Sequence, residues 1–115
     1  MKTQAIIDAL AALAQESRLA VFRLLVERGP AGCSAGEIGE RLAIPGPTLS
    51  FHLKELAQAG LVTARKESRF VYYTASFERM NALVAYLTEN CCNLGAACAP
   101  VCKPQAKPVR RNKSA

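Results

Sequence analysis

The chain is poor in the features that many functional classes need. No apolar run approaches the roughly 18 to 20 residues of a membrane span, so a transmembrane reading is excluded. There is one histidine, His52, with no C-x-x-C pair and no glycine-rich phosphate loop. A thiol-dependent reductase needs an activated cysteine beside an anion-binding loop, and that machinery is missing. No internal repeat is present. After Glu89 there is no acidic residue at all.

What is present is half hydrophobic and 21% charged over 115 residues. That suits one domain with a modest core and excludes a wholly disordered chain. So small a domain buries a limited share of its surface and would gain from a partner subunit. The formal charge is +6, but Lys103, Lys107, Arg110, Arg111 and Lys113 carry most of that excess. Residues 1–102 hold 10 cations and 9 acids, a balance of +1. A domain this balanced binds DNA only if its cations share a face. The N-terminal apolar stretch contains Asp8 behind a thin charged flank, so it reads as an amphipathic helix and not as a signal peptide. The expectation is a cytoplasmic protein whose five cysteines are thiols.

Apolar periodicity and stop signals divide the chain. A first helix is predicted over 3–14, with Ile6, Leu10 and Leu13 along one side and Ile7, Ala11 and Ala14 beside them. A second starts at Ser17 as N-cap, turns Leu19, Phe22, Leu25 and Val26 inward and Arg18, Arg23 and Glu27 outward, and stops at Gly29-Pro30. Ser34 caps a third, with Glu37 at capping-box spacing and Ile38 and Leu42 inward. After the tight connection 43–46, Pro47 suits the first turn of a fourth helix whose buried stripe is Leu49, Leu53 and Leu56. The period then switches to two over 61–65 and 70–74, around a polar turn at 66–69, which predicts a two-stranded hairpin. A last helix runs over 77–90, with Met80, Leu83, Val84 and Leu87 in register. The sequence thus divides into a helical domain with a hairpin over 1–90, a cysteine-rich segment over 91–102 and a basic, disordered tail over 103–115.

Two helices joined by a tight turn and followed by a hairpin outline a mainly α winged helix-turn-helix. The stretch S-F-H-L-K-E-L-A-Q-A-G-L-V and the wing R-K-E-S-R-F-V-Y-Y resemble those of the ArsR/SmtB family of metalloregulatory repressors, over about residues 5 to 90. The resemblance implies binding to double-stranded operator DNA as a homodimer built through the first and last helices. On a helical wheel with Leu49, Leu53 and Leu56 at the core, Pro47, Phe51, Lys54 and Gln58 point most directly outward. Thr48 and Ser50 lie on the flanks as candidates for phosphate or base-edge hydrogen bonds, and Lys54 for a phosphate contact. Phe51 has no hydrogen-bonding edge, and only thymine methyls or the sugar backbone are open to it. His52 falls about 60° from the core direction and sits between a boundary histidine and a base reader. Arg65, Lys66 and Arg69 would track phosphates from the tip of the wing.

Cys91, Cys92, Cys98 and Cys102 crowd into twelve residues, while Cys33 stands apart. Soft thiolates select soft metals and metalloids. Neighbouring helical residues point about 100° apart, so Cys91 and Cys92 can share an ion only where the helix end frays. Trivalent arsenic or antimony takes three sulfurs in a trigonal pyramid, which C-C-x5-C can supply as Cys91, Cys92 and Cys98. This arrangement resembles the family's arsenite sensors with cysteines at the end of the last helix. Cys102 would add a fourth sulfur for zinc or cadmium, or the thiols would sense oxidants. The family's third-helix C-x-C site is absent, since Ser34 and Gly36 hold those positions, and its last-helix histidine site is absent too. Cys33 is expected to be a small, partly buried apolar residue.

Overall fold

A computed structural model describes residues 1–95. The proposed ligands Cys98 and Cys102 and the basic tail lie outside the described residues. The elements run α1 (Thr3–Leu13), α2 (Glu16–Arg28), a single 3-10 turn (Gly29–Ala31), β1 (Cys33–Ser34), α3 (Ala35–Leu42), α4 (Gly46–Gln58), β2 (Val62–Glu67), β3 (Phe70–Ala75) and α5 (Phe77–Thr88). Helices α1 to α4 pack around a core that the small sheet and α5 close from the other side.

The expected stripe on α4 is the centre of that core. Leu49, Leu53 and Leu56 are buried, against Val21, Phe22 and Leu25 of α2 and Ile6, Ala9 and Ala12 of α1. On the first two helices the periodicity misplaces the inward face. Ile7 and Leu10 of α1 are exposed, and the small residues Ala9 and Ala12 pack inward, which lets α1 approach its neighbours closely. On α2, Leu19 points outward and Val21 inward. The real stripe is Arg18, Val21, Phe22 and Leu25, at helical spacing. Both helices are apolar on more than one side, so spacing alone did not decide which side faces in. The N-cap of α2 is Gln15, whose side chain accepts from the Arg18 N–H at 2.8 Å, and not Ser17.

Helix α3 is capped as read. Ser34 Oγ accepts from the Glu37 N–H at 3.2 Å. The Glu37 carboxylate does not return to the cap. It takes Arg28 in a two-point contact from the end of α2 and Arg41 Nε at 3.0 Å from its own helix. The hairpin is longer and tighter than expected. Glu67 pairs with Phe70 and only Ser68 and Arg69 form the turn. Ser68 takes a φ of +60°, the left-handed backbone that two-residue hairpin loops require. A serine there gives no glycine or asparagine signal, which is why the turn reads as wider. A third strand also forms. Cys33 and Ser34 pair antiparallel with Tyr73 and Tyr72, giving the order β1-β3-β2. Two residues carry too little pattern to announce a strand. Gly32 makes the approach feasible, since its φ is +77° and a Cβ there would lie 2.8 Å from the Tyr73 carbonyl oxygen.

Among the described residues no helix is long and apolar enough to cross a membrane.

The Glu37 carboxyl is held below its ordinary range, by the hydrogen bond from Arg28 first and that from Arg41 second. A carboxylate depressed by folding stabilises above its unfolded pKa, and that stabilisation is lost as pH falls through the folded value. Glu37→Gln is therefore expected to lower the urea midpoint at neutral pH and to match wild type once the carboxyl is protonated. Urea titrations from about pH 7 to about pH 3 check this.

Candidate nucleic-acid interface and thiol site

Helix α4 is placed by its start as well as by its stripe. Ala43 closes α3 in the left-handed region at φ 55°, with its N–H on the Gly39 carbonyl. The Ile44 N–H bonds the same carbonyl at 3.0 Å. Gly39 gives room at this corner, where a Cβ would stand 3.1 Å from the Ile44 oxygen. Pro45 then enters α4 with Pro47 in the first turn, as expected of a residue with no N–H to satisfy. Because Leu49, Leu53 and Leu56 face the core, Thr48, Ser50, Phe51 and Lys54 are all exposed on the opposite side.

His52 leaves that set. It is 7% exposed, and its Nδ1 lies 3.3 Å from Arg18 Nη1. Arg18 in turn donates from Nε to the Ala12 carbonyl at 2.7 Å. The guanidinium expected on the outer face of α2 therefore ties the end of α1 to α4. Sequence reasoning missed Arg18. Its signal was its position in the i, i+3, i+4, i+7 register with Val21, Phe22 and Leu25. His52 is a boundary histidine with a partner, and its ring edge is not offered to a groove.

The wing cations divide in the same way. Arg65 is not free at the tip. Its Nε bonds Glu67 at 2.7 Å, its Nη2 donates to the Ala31 carbonyl at 3.2 Å, and its guanidinium lies 5.5 Å from the centre of the Tyr72 ring. These contacts fasten the base of the hairpin to the turn that ends α2. The side chains of Lys66 and Arg69 are exposed, and neither makes a hydrogen bond or ion pair among the described residues. Phe70, also exposed, stands beside Arg69 with its ring centre 6.4 Å from that of Tyr72. The sequence reading had treated it only as a strand residue.

The three described cysteines have two environments. Cys33 is fully buried in β1, and burial first, then the nearby Glu37 carboxylate, pushes its thiol up. A thiol held protonated is a poor ligand and nucleophile. Cys91 and Cys92 do not close the last helix, because α5 ends at Thr88. They lie in successive tight turns, with Asn90 at φ 61° and Cys92 at φ 69°. This is the frayed geometry that two neighbouring cysteines need in order to converge, and their sulfurs are 3.2 Å apart. No group of three metal-ligating side chains is assembled among the described residues.

Comparison with known proteins agrees with the helix-turn-helix. A family model described as a helix-turn-helix domain matches residues 13–65. The HTH-type transcriptional regulator YceK of Bacillus subtilis is 48% identical over 61 residues, which are 53% of this chain and 60% of that protein. The match thus spans less than two thirds of that relative. The transcriptional activator HlyU of Vibrio cholerae is 37% identical over 78 residues, 68% of this chain and 69% of that one. The arsenical resistance operon repressor of Bacillus subtilis is 35% identical over 82 residues, 70% of this chain and 73% of that one. Among solved structures, an ArsR-like transcriptional regulator from Rhodococcus superposes with a TM-score of 0.66 at 28% identity, over 73% of this chain and 76% of that one. The homodimeric winged helix-turn-helix domain Mb0332 from Mycobacterium bovis gives 0.62 at 25%, over the same shares of the two chains.

Removing the Arg18 guanidinium would leave the Ala12 carbonyl and His52 without their partner. Arg18→Ala is expected to cost roughly 1.5–3 kcal/mol of stability, the range of a hydrogen bond to a charged group. Urea denaturation of the variant beside wild type measures it.

Proposed function

This chain belongs to the ArsR family of helix-turn-helix transcriptional regulators, and we propose that it is a homodimeric repressor that leaves its operator when trivalent arsenic or antimony binds Cys91, Cys92 and Cys98. The family comprises DNA-binding regulators and not enzymes. The observation that carries the effector reading is the pair of sulfurs 3.2 Å apart just past the end of α5, with a third cysteine six residues further on. Three thiolates suit a pyramidal ion such as trivalent arsenic, and four suit tetrahedral zinc. The resemblance to an arsenical resistance operon repressor supports the former. Cys102 is the candidate fourth ligand should zinc or cadmium be the effector.

The dimer reading rests on apolar surface. Ile7 and Leu10 of α1 and Val84 and Leu87 of α5 are exposed, the last two at 54% and 59%. The two helices adjoin, with Thr3 Oγ1 and Tyr86 Oη 2.7 Å apart. Mb0332 is a homodimer. Two copies joined here would present two α4 helices to a pseudo-palindromic site. Ligation at the end of α5 would then act where the interface ends. A coupling of about 1–3 kcal/mol relieves DNA binding roughly 5- to 150-fold.

On the DNA side, Thr48, Ser50 and Lys54 serve the groove and its phosphates, and Lys66 and Arg69 serve the phosphates beside the wing. Arg65 and His52 hold these elements in place. A second reading follows from the same sulfur pair. Adjacent Cα atoms stand about 3.8 Å apart, short of disulfide spacing, so oxidation would join one of these thiols to Cys98 or Cys102 and make the regulator a redox sensor.

Fluorescence anisotropy on the upstream DNA, with arsenite, antimonite, zinc, cadmium or an oxidant added, separates these readings. Arsenite is expected to weaken DNA binding by wild type, and Cys→Ser at 91, 92 or 98 to abolish the response while leaving DNA affinity intact. X-ray absorption is expected to find three sulfurs at arsenic. If all the serine variants respond as wild type does, the proposal is wrong. On the DNA side, Lys66→Ala and Arg69→Ala are each expected to lower the slope of log K against log salt by about one. Affinity measured across a salt series checks it.

A further inference from the structure

The first two turns of α4 are the part of a recognition helix that meets base edges. Their exposed side chains are Pro47, Thr48, Ser50 and Phe51. None of these can form the two-point hydrogen bonds by which arginine reads guanine or glutamine and asparagine read adenine. Thr48 and Ser50 each bring one hydroxyl, which accepts more than one base. The side chains standing furthest out are Pro47 and Phe51, four residues apart and so stacked along one ridge. Lys54 continues the ridge on the next turn. The ridge is apolar where bases are met and cationic one turn further on.

Phe51 is 55% exposed. Its ring rests at a tilt against His52, the centres 5.8 Å apart, and His52 is itself held by Arg18. The phenyl group therefore stands on a fixed support and projects from it. In the major groove the one apolar group on a base-pair edge is the C5 methyl of thymine. We infer that Phe51 is the residue that sets base specificity, by packing against the methyl of a thymine in each half-site. Its ligand class is thus the 5-methylpyrimidine, and 5-methylcytosine satisfies it in the same way. The inference rests on the reading of α4 as the groove helix.

The test uses the full chain and the duplex that it protects in footprinting of its upstream DNA. Thymines in each half-site are replaced one at a time by deoxyuridine, which lacks only the methyl. Kd is read by anisotropy at fixed salt for wild type, Phe51→Ala, Phe51→Leu, Thr48→Ala and Lys54→Ala. For wild type, one thymine per half-site is expected to show a roughly three- to five-fold loss, the worth of one buried methyl-sized group. Phe51→Ala should bind the thymine and deoxyuridine duplexes alike, and Phe51→Leu should keep part of the difference. At that position 5-methylcytosine should bind better than cytosine.

Two outcomes would overturn the inference. One is a wild type indifferent to every deoxyuridine; the other is Phe51→Ala keeping the full difference, with Thr48→Ala losing it if threonine is the reader. Failure of the premise looks different. If Thr48→Ala, Lys54→Ala and Phe51→Ala all bind as wild type does, α4 is not the groove helix and the inference falls with it. Phe51 lies outside the core, so circular dichroism of its variants should match wild type.

Discussion

One-sided burial of α4 is the constraint on which the rest depends. Leu49, Leu53 and Leu56 lie against α1 and α2, and that choice of inner face sets the outer one. A rotation by one residue would move each side chain about 100°, taking Phe51 and Lys54 off the outer surface and burying polar groups without partners. Large apolar side chains on the stripe make that rotation expensive, since each fully buried leucine is worth about 1.5–3 kcal/mol. The Arg18–His52 contact adds a polar check to the same setting. It joins the recognition helix to the end of α1, the helix that also meets α5.

Charge is sorted by the same packing. Arg28 and Arg41 are held on Glu37, and Arg65 on Glu67 and the backbone of the turn after α2. These cations tie parts of the molecule together. Lys54, Lys66 and Arg69 remain on exposed surfaces of α4 and the wing. A domain near charge balance can still present a cationic face to DNA when its remaining cations share that face.

The cysteines are sorted as well. Cys33 is enclosed in the sheet and its thiol is kept protonated. Cys91 and Cys92 lie past the last helical residue, where left-handed backbone turns two sequence neighbours toward each other. Chemistry at that end of α5 is adjacent to the apolar surface of α1 and α5. On the proposed reading, ligand capture and subunit contact would influence one another without passing through the core.

Much of this was legible without coordinates. The order of helices and hairpin, the α4 stripe, the Ser34 cap and the separation of Cys33 from the terminal cysteines all follow from local signals, which a linear chain states outright: periodicity, caps, breakers and spacing. The inner faces of α1 and α2 were not legible, because apolar residues surround both helices and only the shape of the neighbouring surface selects a side. Nor were the strand at Cys33 and Ser34, the inward turn of Arg18, or the loss of Arg65 from the wing tip. Each of these depends on a partner 34 or more residues away. Contacts between distant positions leave no period in the sequence, so the residues that hold the interface in place became visible only once the chain was folded.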